Sequence, residues 1–336
     1  MSTYQKEHGR RVNVVSSNPS NPKEGEVWYN STLGVLKGYV LAPATVESAG
    51  TCSLARSQMG STGSLTAGVM YGGEAPSVPS ITVKTEEFDG TSFSNGGDAP
   101  TGKSDMHASG TQTAALWGGG SPSSSASYHY NGTSWTAGGD MTFAGRDFYG
   151  GGVGVQTAAL QVGGFINPGN LSNVMQHYDG SSWTNIPQTF PTAPLTGGMA
   201  SCGTQTACLS TGGPPNSTSS LSWDGSSWTT AGSLTIGFSG HSQRGTVGSA
   251  NIISGHPANP PTYSTEILIW DGTSWSTSAS TLSKGRAQAA GFGGAAAAAV
   301  AGGSDGTPAH TNTSEIFTEA AVATKTLTTG EYNIYC

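Results

Sequence analysis

A short apolar run closed by two glycines recurs along the chain. It stands at Val69-Met70-Tyr71-Gly72-Gly73, Ala115-Leu116-Trp117-Gly118-Gly119, Leu160-Gln161-Val162-Gly163-Gly164, Leu209-Ser210-Thr211-Gly212-Gly213 and Ala299-Val300-Ala301-Gly302-Gly303, with a degenerate copy at Ile252-Ile253-Ser254-Gly255-His256. The first glycines of these copies are 43 to 49 residues apart. A second motif lies between them: Phe88-Asp89-Gly90-Thr91-Ser92-Phe93, Tyr130-Asn131-Gly132-Thr133-Ser134-Trp135, Tyr178-Asp179-Gly180-Ser181-Ser182-Trp183, Trp223-Asp224-Gly225-Ser226-Ser227-Trp228 and Trp270-Asp271-Gly272-Thr273-Ser274-Trp275. Asp-Gly or Asn-Gly between aromatic residues signals a tight hairpin, because Gly and Asn tolerate the positive φ such turns require.

Upstream of each glycine pair runs a segment of small residues, such as His107-Ala108-Ser109-Gly110 or Gly197-Gly198-Met199-Ala200-Ser201. The repeating unit therefore reads as four short strands: a small-residue strand, an apolar strand ending in Gly-Gly, an aromatic strand ending in Asp-Gly, and a strand opening with Trp. Four strands in about 46 residues, repeated, is the arithmetic of a β-propeller blade whose first strand lines a crowded channel. The glycine pairs then permit close backbone approach, and Trp135, Trp183, Trp228 and Trp275, recurring at one position, pack between neighbouring blades.

The order Gly-Gly, aromatic, Trp resembles the kelch repeat over roughly residues 55–318, most fully from Trp135 through Met141 to Arg146, with arginines opening a unit at Arg56, Arg146 and Arg286. The resemblance implies an all-β, six-bladed kelch-like β-propeller, with seven blades as the alternative. The sixth unit lacks an Asp-Gly-x-x-Trp element. The segment Glu24-Gly25-Glu26-Val27-Trp28-Tyr29-Asn30, running on to Val35-Leu36-Lys37, offers the missing half. The expected division is a docking arm at 1–23, a propeller at 24–318 with closing strands at 24–40, and a tail at 319–336.

Charge is sparse: 13 Lys and Arg against 20 Asp and Glu in 336 residues, a net charge of −7. That balance gives no electrostatic reason to bind nucleic acid or anionic lipid. The longest apolar stretch, Gly294 to Ala301, is far short of a membrane-spanning helix, and the polar segment Met1 to Val15 carries no secretory pattern. Cys52, Cys202, Cys208 and Cys336 lack metal-ribbon spacing and read as free thiols, with a Cys52–Cys336 bridge as the alternative. No phosphate loop or nucleophile elbow occurs, and the Asp-Gly turns lack the alternating acids of a calcium loop. The seven scattered histidines suggest no metal site. The expectation is a protein without catalytic residues, metal or cofactor.

Loops that follow the glycine pairs vary most between units, and a rigid scaffold displays such loops for binding. Phe165, Asn167, Asn170, Tyr263 and His310 are the candidate ligand-binding residues, being aromatic, amide and imidazole groups of the kind that hold sugars or peptides. The segment Glu24 to Asn30, continuing to Leu36-Lys37-Gly38-Tyr39, resembles strand-turn-strand elements of bacteriophage tail-fibre and other virion proteins. So does the Ser/Thr/Gly-rich style, with near-verbatim copies at Gln112-Thr113-Ala114, Gln156-Thr157-Ala158 and Gln205-Thr206-Ala207. This resemblance implies a non-enzymatic virion protein on tail or capsid, assembled in the host cytoplasm, with other virion proteins and a host-surface glycan or protein as partners. The alternative is a soluble lectin-like propeller binding carbohydrate or peptide.

Overall fold

A computed structural model describes residues 12–76, 80–143, 152–166, 170–191, 198–213, 216–257, 263–306 and 310–327. Every regular element among them is a β-strand. The chain divides into two compact units, Thr45–Thr318 and a smaller one combining Met1–Ala44 with Glu319–Cys336.

The larger unit holds six four-stranded antiparallel sheets, the first five with their strands in spatial sequence. The first contains Gly60–Ser64, Ala67–Tyr71, Thr85–Phe88 and Phe93–Asn95, and the second His107–Thr111, Ala114–Gly118, Ser127–Tyr130 and Trp135–Ala137. The third contains Gly152–Val155, Ala158–Ile166, Asn170–Tyr178 and Trp183–Thr189, and the fourth Met199–Thr204, Ala207–Gly212, Ser220–Trp223 and Trp228–Thr230. Ser242–Gly245, Ala250–Ile253, Ile267–Trp270 and Trp275–Thr277 make the fifth. In the sixth, Ala290–Gly293, Ala297–Ala301 and Ser314–Thr318 are joined by Thr45–Ser48 from the N-terminal side, with Val46 opposite Phe317.

The first strand of each sheet packs against the first strand of the next, and Ala290–Gly293 returns to Gly60–Ser64. This is a propeller-like arrangement. Apolar layers lie between successive sheets: Val69 and Tyr71 pack on Trp117, Tyr130 and Trp135, Leu160 and Met175 on Cys208 and Trp223, and Phe292 and Ala299 on Met70 and Phe88.

The sequence motifs do their work at these junctions. In each Asp-Gly turn the carboxylate closes the loop by accepting from backbone; Asp89 Oδ1 accepts from the amides of Thr91 at 2.8 Å and Ser92 at 2.7 Å. The tryptophan after the turn reaches the preceding sheet. Trp135 Nε1 donates to Thr85 Oγ1 at 3.0 Å, Trp275 Nε1 to Ser220 Oγ at 3.0 Å, and Trp228 Nε1 meets Met175 Sδ at 3.1 Å. Trp183 stands edge-on to His107. The second glycine of a pair donates its amide to the next sheet: Gly73 to Lys103 O, Gly213 to Phe238 O, Gly255 to Arg286 O and, across the sixth-to-first junction, Gly303 to Arg56 O, all at 2.8–2.9 Å. A Cβ on Gly212 would sit 2.4 Å from Phe238 O, so the first glycine is required for the approach itself.

Three positions differ from the expectation. In the second sheet the residues with positive φ are Gly119 (69°) and Gly120 (101°), matching Gly72 (63°) and Gly73 (95°); Gly118 ends the strand. The run has three glycines, and the chain turns on the last two. The strand completing the sixth sheet is Thr45–Ser48 rather than a strand within 24–40. Val27–Asn30 and Val35–Ala42 instead pair as a hairpin in the smaller unit, flanked by Asn13–Val15 and Ala321–Thr326. Six consecutive pairs, Lys37↔Thr326 to Ala42↔Ala321, hold that placement. Parts of the expected arm and tail are thus strands, and Asn18 Oδ1 accepts from Trp28 Nε1 and Asn30 Nδ2. Residues 1–11 and 328–336, including Cys336, and also Arg146, lie outside the described residues, while Cys52 is a buried free thiol.

The degenerate glycine pair yields a prediction. Ser254 adopts φ 73°, is fully buried, and its hydroxyl has no hydrogen-bond partner among the described residues. Ser254→Gly relieves both costs and loses only some unfolded-state restriction. It is expected to raise stability by about 1 kcal/mol, or Tm by about 3 °C, measured by thermal denaturation.

Candidate functional site: the passage between the first strands

The six first strands line two adjoining cavities. Their small residues follow from a repeated backbone feature. Gly63, Gly110, Gly154, Gly203, Gly245 and Gly293 all have φ between 101° and 128°. A Cβ at any of them would lie 2.1–2.5 Å from the carbonyl oxygen of the residue four positions on. Only glycine fits such a φ at that approach, and the six form a collar around the second cavity. Around the first cavity runs a belt of residues in left-handed conformation. Asp105 N donates to Gln58 O at 3.0 Å, Gly240 N to Gly198 O at 2.8 Å, Gln288 N to Gly240 O at 2.7 Å and Gln58 N to Gln288 O at 2.8 Å.

The first cavity offers about 60 Å³ of free space and the second about 170 Å³. Both have room for several waters or a small ion, since one water needs roughly 10–15 Å³; neither accommodates a glycan. Asp105, His241, Gln58 and Gln288 face the first. Thr62, Ser109 and Ser201 line the second, and Ser61, Gln243 and Arg244 border both.

Side chains here are held in chains of hydrogen bonds. Thr211 Oγ1 donates to Gln243 Oε1 at 2.6 Å and so accepts from His241 Nε2, 2.8 Å away. Gln243 Nε2 in turn meets Leu209 O and Cys202 Sγ, each at 3.3 Å. His107 bridges Gln161 Oε1 at 2.8 Å and Ser109 Oγ at 2.9 Å. Burial pushes His107 down to about 4 and His241 to about 3, so both imidazoles are neutral. Burial likewise raises the Cys202 thiol to about 12. The sign for stability follows. An unfolded histidine takes up its proton near 6.5, and the folded ones do so only near 4 and 3, so the unfolded state binds more protons in between. Stability is fully present above pH 6.5 and falls as pH drops from 6.5 through 4, by up to about 1.4 kcal/mol per pH unit for each histidine. Urea midpoints measured from pH 7.5 to 4.5 check this.

Of the residues expected to bind ligand, Tyr263 and His310 come together at Ser304. Tyr263 Oη and Ser304 Oγ are 2.9 Å apart, and Ser304 pairs through its backbone with His310. His256 joins them, its ring 4.4 Å from that of Tyr263. Phe165 and Asn170 belong to a long hairpin of the third sheet, where Ile166 lies opposite Asn170, and so are not loop residues. Asn167 lies outside the described residues. Arg244 and the glutamines of the near-verbatim copies are not among the candidate residues of the sequence. Gln112 Nε2 spans Gly68 O and Phe88 O, Gln156 spans Ala115 O and Tyr130 O, and Gln205 spans Ala159 O and Tyr178 O, each tying its hairpin to the preceding sheet at 2.8–3.2 Å. Repetition of Gln-Thr-Ala was the available signal. Comparison with known sequences gives no match, either to a protein-family model or among curated proteins.

Proposed function

We propose that the larger unit is a six-bladed, kelch-like β-propeller and that the protein is a non-enzymatic structural component of a bacteriophage particle, attached to tail or capsid and serving assembly or host-surface binding. Six sheets whose first strands succeed one another and return to the start, with matching backbone bonds at four of the six junctions, support the blade count. The charged groups support a structural role. Arg56 and Arg286 are paired inside the sheets with Glu86 and Glu315, and Asp89, Asp179, Asp224 and Asp271 close turns.

The observation that carries the attachment reading is the smaller unit. Segments from both ends of the chain form one four-stranded sheet. Val12, Val14, Tyr29, Leu33 and Leu41 are exposed there, whereas Val155 is the sole large hydrophobic so exposed among the described residues of the larger unit. Exposed apolar residues gathered on a small module mark an interaction surface. The virion assignment rests on the sequence resemblance, with other virion proteins as partners. Mass spectrometry of purified particles tests it: the protein in fixed stoichiometry with capsid or tail proteins is the expected result, and its absence from particles refutes the proposal. Tyr263, His256 and His310 around Ser304 favour a second reading, a lectin-like surface, which a glycan array examines with Tyr263→Ala as control.

A further inference from the structure

Three arginines lie among the described residues of the larger unit. Arg56 and Arg286 each have a carboxylate oxygen 2.7 Å from Nη2. Among the described residues Arg244 has no carboxylate within ion-pair distance. Its Nη1 has a single acceptor, Gln243 O at 2.8 Å. Nη2 donates to Gly291 O at 2.6 Å, Ser61 Oγ at 2.9 Å and Ser61 O at 3.3 Å. Nε is enclosed without a partner among the described residues, as are those of Arg56 and Arg286. Arg244 is half-buried, and a guanidinium partly withdrawn from water is costly unless its charge is neutralised; burial lowers this one to about 10.

The two cavities beside Arg244 differ in charge. The first has Asp105 and His241 in its wall. Around the second, Arg244 is the sole charged residue; the hydroxyls of the neighbouring Thr62, Ser109 and Ser201 are taken up by Gly110 O, His107 Nε2 and Ser210 Oγ at 2.6, 2.9 and 2.7 Å. Its free space of about 170 Å³ suits a small polyatomic ion. We propose that this second cavity is a binding site for a small oxyanion, with Arg244 supplying the charge. The glycines of the collar are fixed by their own hairpins, because a side chain on any of the six would be driven into backbone. The proposal is independent of whether the protein belongs to a virion.

The test uses the full chain with inorganic phosphate as probe, by titration calorimetry against sodium chloride of equal ionic strength. One saturable site per chain is expected, with Tm rising about 3 °C for each tenfold of phosphate above Kd. Arg244→Gln is expected to abolish the heat. Arg244→Lys keeps a charge without the planar fork and is expected to weaken binding at least tenfold; it decides the matter should the glutamine variant fail to fold. No saturable binding to the wild type overturns the proposal, as does an unchanged Kd in either variant.

Discussion

Replacing Arg56 with methionine is expected to cost about 3–5 kcal/mol of stability, because it leaves a carboxylate buried without its counter-charge. The side chains of Arg56 and Glu86 are 0% and 1% exposed, which separates this pair from the surface ion pair Lys84–Asp98, worth at most about 1 kcal/mol. Arg56 Nη1 also donates to Gly72 O at 2.9 Å and Lys84 O at 2.8 Å, so both carbonyls lose a bond, Lys84 O keeping the Gly72 amide at 3.1 Å. Glu86 would keep only the amide of Ser53, 2.6 Å from Oε1. Urea denaturation measures the loss. Arg56→Met combined with Glu86→Met is expected to recover part of it, since an apolar pair leaves no stranded charge. If the double variant is less stable than the single by the full cost of a second independent mutation, the stranded-charge explanation fails. Arg286 and Glu315 repeat the arrangement in the sixth sheet, with Ser283 N on Glu315 Oε1 at 2.8 Å.

Gly203→Ala is expected to cost about 3 kcal/mol, in the range of severe local backbone strain. Its φ of 116° is a conformation that L-residues rarely adopt, and the new Cβ would stand 2.3 Å from Ala207 O, a backbone atom of the same hairpin. The strand cannot yield outward without opening the pair Gly203↔Cys208. Gly294→Ala is the control: nothing lies within 4 Å of its would-be Cβ, and its change is expected to stay within about 0.5 kcal/mol. Equal effects at the two positions, read from thermal or urea unfolding, would contradict the steric account of the collar.

What could be read from the sequence follows from where residue identity is forced. The Asp-Gly turns and paired glycines need particular residues, so they repeat almost verbatim and disclose the four-stranded unit. The belt around the first cavity needs only a left-handed backbone, which Gln58, Asp105, Gly198, Gly240 and Gln288 all supply; different residues at one structural position leave no visible repeat. The closing strand was misplaced because Thr45-Val46-Glu47-Ser48 is short and carries no aromatic residue, while Trp28-Tyr29-Asn30 imitates the blade motif yet pairs within the smaller unit. Arg244 gave no signal because its site exists only when residues 61, 244 and 291 meet. Tyr263 and His310 were chosen as loop residues, but their approach to Ser304 and His256 depends on two different sheets.

Closure of the six sheets on themselves is the central claim, and amide hydrogen exchange across the sixth-to-first junction tests it most directly. Gln58 N donates to Gln288 O and Gly303 N to Arg56 O, each at 2.8 Å; Asp105 N and Gly213 N make the corresponding bonds at internal junctions. Closure predicts that Gln58 and Gly303 are protected to the same degree as Asp105 and Gly213, because all open only with the cooperative unit. Fast exchange at Gln58 and Gly303 beside slow exchange at Asp105 and Gly213 would show an open array of sheets and contradict the account.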